Sequence, residues 1–593
     1  MKKIYFHFIS FFIVLAFLSF SLLGKDNSDF NIDEFSNLPV MDEGRKKPID
    51  TFSFNLLTIV SGKSAIKNNA DEKVGANEWF LDLITGKPEA FDTAYIRITN
   101  KDLLSTLGLE PRKGNYRYSY NEIAPKLSSL EKTISLARVK DKRDRDIYDR
   151  EAIMLANKLM LLQKTMSAFE DPRLFPADEL FPSVQRYMQL EKQSIPMVIP
   201  PSKENQKWRP LMNSLVAAHP AMQEITKQNN ITVNPLALRW GSMLFAYASD
   251  NAEVFNNSLS EYYSALKSQS SDELKNLKFE VIFNKLNVFV KIAWVYLIVF
   301  LLSCVGWLLS NKKIIYSAST LMLYAAIPHT LALIARSFLS GYPPVTNLYS
   351  SAIFIGWGSV LMGILIEFGF KNKGSGIGSL VGGIVGSITL LIAYFLSGDG
   401  DTLHQLQAVL DTRFWLATHV ITVTLGYMAT FIAGAIGIFF IIIGFFTKRL
   451  NSEASIEIDR IIYGVTCFAL LLSFVGTVLG GLWADDSWGR FWGWDPKENG
   501  ALLIVTWCAI MLHSRWGKMI KARGFAIMAV FGNIVTAWSW FGVNQLSVGL
   551  HSYGFTDSAG RWLTIFCLSQ LLICIIGLIP TSFWKSKLIS KTN

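Results

Sequence analysis

The chain has 593 residues, half of them hydrophobic, and 57 Lys and Arg against 47 Asp and Glu give it a formal net charge of +10. Its mean hydropathy of +0.29 marks long apolar runs rather than one water-soluble core. The basic excess gathers in short loops between those runs and is not interleaved with aromatics, which excludes a nucleic-acid-binding surface.

The first apolar run, residues 4–24, follows Lys2 and Lys3. It is about 20 residues long, more than a secretory leader core needs, and no Ala-x-Ala-like site follows, so it reads as a retained anchor. Residues 25–285 then carry polar stretches, a proline cluster at Pro196, Pro200 and Pro201, and helical periodicity in Glu151–Met166, which predict a mainly helical extracytoplasmic domain. Within it, the charged run Lys140–Glu151 is a solvated helix face. Gly62, Lys63 and Ser64 imitate the end of a phosphate loop, but Leu57 stands where the first glycine is required.

From residue 286 to 593 the chain is a membrane domain. Spans are predicted at 287–309, 314–337, 350–369, 377–397, 416–446, 462–483, 499–515, 523–543 and 562–583, which with the first run make an all-α polytopic protein of about ten transmembrane helices. Lys and Arg clusters fall in alternate loops: Lys312 and Lys313, Lys371 and Lys373, Lys448 and Arg449, Arg515 to Arg523, and Lys585 to Lys591. Placing them all in the cytoplasm puts both termini inside and leaves residues 25–285 outside, together with the loop 483–500. The five cysteines, Cys304, Cys467, Cys508, Cys567 and Cys574, all lie in predicted spans, so the outer domain has no disulfide. The chain has no Cys-x-x-Cys-His and is not itself a c-type cytochrome.

Trp483–Gly500 is the most informative segment. Its tryptophans, Trp483, Trp488, Trp492 and Trp494, are interspersed with Gly489, Gly493 and Gly500 and with Asp485, Asp486, Arg490, Asp495, Lys497 and Glu498. Indoles offer flat faces at low rotamer cost, glycines let the backbone turn between them, and so many charges make a poor lipid anchor, so the segment reads as a ligand platform.

Trp492–Trp507, the Leu-His-Ser-Arg that ends at Arg515, and Gly542–Phe555 closely resemble the tryptophan-rich "WWD" signature and flanking segments of the CcsA family. CcsA is the membrane haem-handling subunit of the system II cytochrome c synthetase. The resemblance runs from about Ile292 to Ile579 and includes Gly341–Ser351, similar to the loop after an early CcsA helix. Asn37–Ser53 is similar to a stretch of fused CcsB–CcsA proteins, without the several N-terminal helices of a full CcsB region.

The seven histidines place the ligand chemistry. His419 begins the span after the outer loop containing His404, and His551 lies just past the outer end of the ninth span; both flank the tryptophan loop on one face. Two neutral imidazoles at one level can ligate one haem iron. His513 lies near the cytoplasmic end of the eighth span, about 20 Å from Asn499 at 1.5 Å per residue, and cannot share that iron. The resemblance makes it an inner haem station whose second ligand comes either from His7 or from a CcsB-type partner subunit. His329 fits neither level.

The reading that follows is a cytochrome c haem-lyase, or an essential subunit of one, in the bacterial inner membrane. Haem b passes from His513 to a site under the tryptophan loop between His419 and His551, and is attached through thioethers to the Cys-x-x-Cys-His of apocytochrome c. Trp483, Trp488, Trp492 and Trp494 hold the macrocycle, Asp495 orients the loop and Arg490 pairs with a propionate. No catalytic side chain is assigned; partners are apocytochrome c, a CcsB-type subunit, a thiol-reducing system and membrane lipids. The rivals are a haem exporter or assembly scaffold without ligation chemistry, and a cytochrome b-like quinol oxidoreductase, which commonly repeats histidine pairs within shared helices and finds none here.

Overall fold

The computed structural model describes residues 2–19, 28–112, 114–141, 144–191, 195–201, 207–229, 233–269, 271–369, 375–403, 412–543 and 557–586. The chain divides into two units. One, the membrane unit, takes residues 1–20, 287–396 and 406–593; the other, the polar unit, takes 21–286 together with 397–405, a segment that chain order places in the middle of the membrane half.

The membrane unit contains α1 (Lys2–Ser19), α2 (Val288–Leu308), α3 (Lys312–Ser340), α4 (Leu348–Gly369), α5 (Ile377–Leu396), α6 (Arg413–Phe446), α7 (Ser452–Trp488), α8 (Pro496–Trp516), α9 (Ala522–Trp540) and α10 (Asp557–Leu578). A helix stands at each of the ten predicted positions, and the protein is an all-α polytopic membrane protein. Among the described residues, seven helices are long and apolar enough to cross a membrane by length and composition. The helices α1, α8 and α9 fall short of that measure because α1 is short, α8 opens on Pro-Lys-Glu-Asn, and α9 carries Asn533, Thr536 and Ser539.

Caps and small residues explain why the helices begin, end and pack where they do. Asn311 accepts from the backbone N–H of Lys313 and Asn451 from that of Ala454, satisfying donors that the first turns of α3 and α7 leave open. Glu367, buried in α4, accepts from the backbone N–H groups of Gly376 at 3.0 Å and Gly378 at 3.1 Å, so a carboxylate meets the positive end of α5. Here α4 and α5 touch along bare backbone: a Cβ on Gly378 would lie 2.1 Å from the Gly363 carbonyl oxygen. Close backbone approach at small residues is how helices associate where lipid removes the hydrophobic incentive.

Among its described residues the polar unit is mainly helical, with three two-stranded antiparallel sheets. Its core is aromatic: Trp240, fully buried, meets Phe35, Phe169 and Tyr262 edge-on with ring centroids 5.7 to 5.8 Å apart. The Gly62-Lys63-Ser64 tripeptide is a helix terminus. Gly62, at φ 69°, caps helix Ile49–Ser61 in the left-handed region and donates its N–H to the Thr58 carbonyl.

Candidate functional site

His419 lies in a π-helical turn, Leu416–Val420, inside α6. An extra residue in a turn re-aims the side chains around it, and such turns recur at functional sites. The Nδ1 of His419 donates to the backbone carbonyl of Gly476 on α7 at 2.7 Å. A carbonyl only accepts, so the proton sits on Nδ1 and the lone pair on Nε2. Metal-ligating imidazoles are commonly held this way, with one nitrogen tied to a carbonyl that fixes tautomer and ring orientation.

The ring can approach because α7 is bare beneath it. A Cβ on Gly480 would lie 2.6 Å from His419 Cε1, and one on Gly476 would lie 2.8 Å from Val423 backbone. Gly476 and Gly480 sit four apart on one face of α7. Trp483 follows nearby, its ring 5.7 Å from the imidazole and edge-on, and its indole N–H is buried without a hydrogen-bond partner among the described residues. Trp415 fastens the other side by donating its Nε1–H to Asp486 at 3.1 Å.

The tryptophan loop is organised from the start of α8. Gly489, at φ 67°, ends α7, and Asp495 opens α8 with a capping box: its carboxylate accepts from the Lys497 N–H at 2.9 Å, and Glu498 accepts from the Asp495 N–H at 3.1 Å. Glu498 also accepts from the Gly493 N–H at 2.8 Å and from Arg490 at 3.2 Å, so one carboxylate gathers three points of the loop. The guanidinium of Arg490 lies 5.6 Å from the Trp488 ring centre. Trp492 and Trp494 meet edge-on at 6.3 Å; Trp494 stands 71% exposed, and its positive φ of 57° is steadied by Asn499, which donates to its carbonyl at 3.0 Å. The loop presents an open aromatic face on a fixed frame.

Lys497 fastens this frame to α9. Its ammonium donates to the Trp540 carbonyl at 2.8 Å, while Ser539 donates to the Gly500 carbonyl at 2.7 Å. Trp540 in turn donates to Ser351 at 3.1 Å, in the segment Gly341–Ser351 that the sequence singled out.

The structure therefore brings His419 and Trp483 together and joins Trp488, Arg490, Trp492, Trp494 and Asp495 in one bonded loop. His551 and His404 lie outside the described residues. His513 is exposed near the far end of α8, about 25 Å from Pro496 by helix rise, and its Nδ1 donates to the Ala509 carbonyl at 2.8 Å, which again leaves the lone pair on Nε2. On α1, His7 Nε2 bonds the Tyr316 hydroxyl at 3.0 Å. His329 is fully buried with Nδ1 3.1 Å from the Tyr296 hydroxyl, a packing role. Sequence reading missed Gly476 and Gly480, although the Gly-x-x-x-Gly spacing on α7 was a usable signal, and it counted Lys497 only among the loop's charges without its bond to α9.

Fold and site together define a polytopic helical membrane protein with a tryptophan-rich, internally bonded loop between α7 and α8. Residues 345–551 match the family model described as cytochrome C assembly protein. The CcsA cytochrome c biogenesis protein of Guillardia theta is 30% identical over 272 residues, covering 42% of this chain and 88% of that protein, and the Prochlorococcus marinus CcsA is 29% identical over 275 residues, covering 41% and 87%. The chain belongs to the CcsA family of cytochrome c biogenesis proteins. Protein NrfI of Wolinella succinogenes is 25% identical over 530 residues, a likeness that extends through 87% of this chain and 53% of NrfI, so the chain spans about half the length of that relative.

Proposed function

We propose that this protein delivers haem b across a bacterial inner membrane and attaches it to apocytochrome c at the tryptophan loop. The observation that carries the reading is the His419 imidazole, tied through Nδ1 to the Gly476 carbonyl and set beside Trp483. That arrangement suits an axial ligand: its lone pair is on Nε2, its ring direction is fixed, and an aromatic wall stands where a macrocycle would lie. His551 supplies the opposing imidazole, Trp488, Trp492 and Trp494 offer stacking faces, and Arg490 is the cation for a propionate, with donors beyond the one given to Glu498. His513 is the inner station, with its second imidazole from His7 or from a CcsB-type subunit. In this reading both termini are cytoplasmic, and the polar unit and tryptophan loop lie outside.

The chemistry is an addition. Each thiol S–H of the apocytochrome adds across one haem vinyl C=C, the sulfur bonding one carbon and the proton reaching the other, with no leaving group and no net redox change. The apocytochrome histidine then displaces one axial imidazole. The protein's share is positioning and axial ligation of the haem, and the thiols must arrive reduced, which is the task of a thiol-reducing system.

The test is to purify the full chain and compare its reduced absorption spectrum and haem content with those of His419→Ala and His551→Ala, while staining cytochrome c in the same cells for covalent haem. Loss of both signals, with partial recovery on added imidazole, is expected. Unchanged haem and spectra in both variants would overturn the site, and haem transport without covalent cytochrome would favour an exporter.

A further inference from the structure

A two-stranded sheet in the polar unit sets two arginines opposite one another. Strand Ile96–Arg97 pairs antiparallel with Arg117–Tyr118 in a register that puts Ile96 against Tyr118 and Arg97 against Arg117. Side chains alternate along a strand, and Ile96 and Tyr118 are buried in the core, so both guanidiniums project from the other face. Like charges directly opposite destabilise a sheet, and a lysine adds to them. Lys158, half-buried on helix Ile147–Phe169, donates to the Arg97 carbonyl from 3.4 Å, longer than an ordinary hydrogen bond. Burial pulls its pKa down to about 8, against the pull of Glu151 and with help from Arg97 and Arg117. Glu151, two turns earlier on the same helix, accepts from the Thr99 hydroxyl at 3.2 Å.

The end of helix Ile49–Ser61 closes the group. Arg117 donates to the Ser61 carbonyl through Nε at 3.1 Å and Nη2 at 2.8 Å, and Arg97 lies against Gly62, where a Cβ would come 3.6 Å from its Nη1. A cation at a helix C-terminus answers the open carbonyls and the negative end of the dipole, and Arg117 alone does that. Arg97 and Lys158 are surplus to it. Arg112 and Lys140, nearby in the chain, are paired with Glu122 and Asp149, whereas Arg97, Arg117 and Lys158 have no ion-pair partner among the described residues. Gly62-Lys63-Ser64 supplies no N–H cradle of the phosphate-loop kind, because a helix C-terminus presents carbonyls; the donors here are side chains.

Most of those donors remain open, since Arg117 gives Ser61 only two of its five N–H groups. A planar carboxylate is satisfied by one arginine fork, whereas a tetrahedral phosphate offers oxygens to two forks and an ammonium at once. We propose that Arg97, Arg117 and Lys158 form a binding site for a phosphate group on the polar unit, carried either by free phosphate or by a phospholipid headgroup. The bound anion replaces repulsion between the arginines with a shared counter-charge. The site is built within the polar unit alone and does not depend on the haem site.

The test is isothermal titration of the full chain, purified in an uncharged detergent at fixed ionic strength, with inorganic phosphate, with a short-chain phosphatidylglycerol below its micelle concentration, and with acetate. Wild type is expected to take up phosphate, and Arg97→Gln and Lys158→Gln to bind it roughly tenfold more weakly, as loss of one charge-assisted hydrogen bond predicts. Lys267→Gln removes the same charge from an exposed position elsewhere on the unit and should bind as wild type does. Arg97 is exposed and its side chain bonds nothing among the described residues, so Arg97→Gln decides the matter if Lys158→Gln fails to accumulate. Tighter binding of the lipid than of inorganic phosphate, lost in Arg97→Gln, assigns the site to a headgroup; the reverse order, lost in the same variant, assigns it to free phosphate. No uptake of either probe by wild type, full affinity in Arg97→Gln, an equal loss in Lys267→Gln, or acetate bound as tightly as phosphate overturns the proposal.

Discussion

The ammonium of Lys497 donates to the backbone carbonyl of Trp540 at 2.8 Å, joining the first turn of α8 to the last turn of α9. Carbonyls at a helix end have no partner in their own helix, and a cation there answers both the open acceptor and the negative end of the dipole. The tryptophan loop enters α8 at this point, and the chain towards His551 leaves α9 at the same point. Lys497→Met should therefore loosen both halves of the outer site. A charge-assisted hydrogen bond of this kind contributes about 1.5–3 kcal/mol, so haem retention should fall by roughly tenfold or more. Haem per chain after gel filtration measures this, and wild-type retention would refute it.

Gly480 is bare where the His419 ring lies across α7. Adding a methyl in Gly480→Ala would set a carbon 2.6 Å from His419 Cε1, so the ring must move and lose its bond to the Gly476 carbonyl. The variant should copy the spectral change of His419→Ala. Gly464, on the same helix, has nothing within 4 Å of the equivalent position, and Gly464→Ala should leave the spectrum unchanged. Equal spectra for the two alanine variants would show that the close approach at Gly480 is immaterial.

These two contacts mark where the sequence could and could not be read. Apolar runs placed the helices because hydrocarbon demands length and apolarity from each span, a local property. The capping box at Asp495–Glu498 went unread although it is local, since it needs only residues three apart. Other features depended on residues distant in the chain. Nothing near Asp401 announces Arg45 and Lys47 as its ion-pair partners, and nothing near His419 announces the Gly476 carbonyl, because each pairing is set by how elements pack. The π-helical turn at His419 was equally hidden, as a single extra residue leaves the apolar pattern of α6 intact.

Topology can be tested apart from haem. The alternation of Lys and Arg clusters predicts that a reporter active only outside the cytoplasm works when fused after Ser487 or near Tyr553 and fails after Lys518. The reverse pattern would put the tryptophan loop in the wrong compartment for a secreted apocytochrome.

Asp82 gives the polar unit a pH signature. Burial, opposed by the Tyr247 hydroxyl and by Lys87, raises its carboxyl from 3.8 to about 6, and the hydroxyl donates to it at 2.9 Å. Because the folded value lies above the unfolded one, the protonated form is the one the fold favours. That stabilisation is complete below the unfolded value and is lost as pH rises through the folded value of about 6. Asp82→Asn should therefore unfold at a higher temperature than wild type near neutral pH, by an amount reflecting about 2 kcal/mol, and the gap should close by about pH 4. Thermal unfolding followed by tryptophan fluorescence checks this; a gap that is constant with pH would assign the effect to packing instead.

On the proposed route, the inner histidines serve delivery and the tryptophan loop serves attachment, and the two can be tested separately. His513 and His7 differ in their bonds: His513 gives its Nδ1 proton to the Ala509 carbonyl, which leaves Nε2 as the basic nitrogen, whereas His7 already engages Nε2 with the Tyr316 hydroxyl. If His513 is the first station, His513→Ala should starve the outer site, lowering haem in the purified protein and covalent cytochrome c together. Trp492→Ala should instead reduce maturation by loosening the outer haem while haem still reaches the bundle. His7→Ala copies His513→Ala when α1 supplies the second inner ligand, and a wild-type His7→Ala assigns that ligand to a partner subunit. Tyr316→Phe sharpens the distinction, because freeing His7 from its hydrogen bond should strengthen inner haem binding only in the first case. Full outer haem and normal maturation in His513→Ala would mean that there is no inner station, and that the histidine serves only as a basic residue at the end of α8.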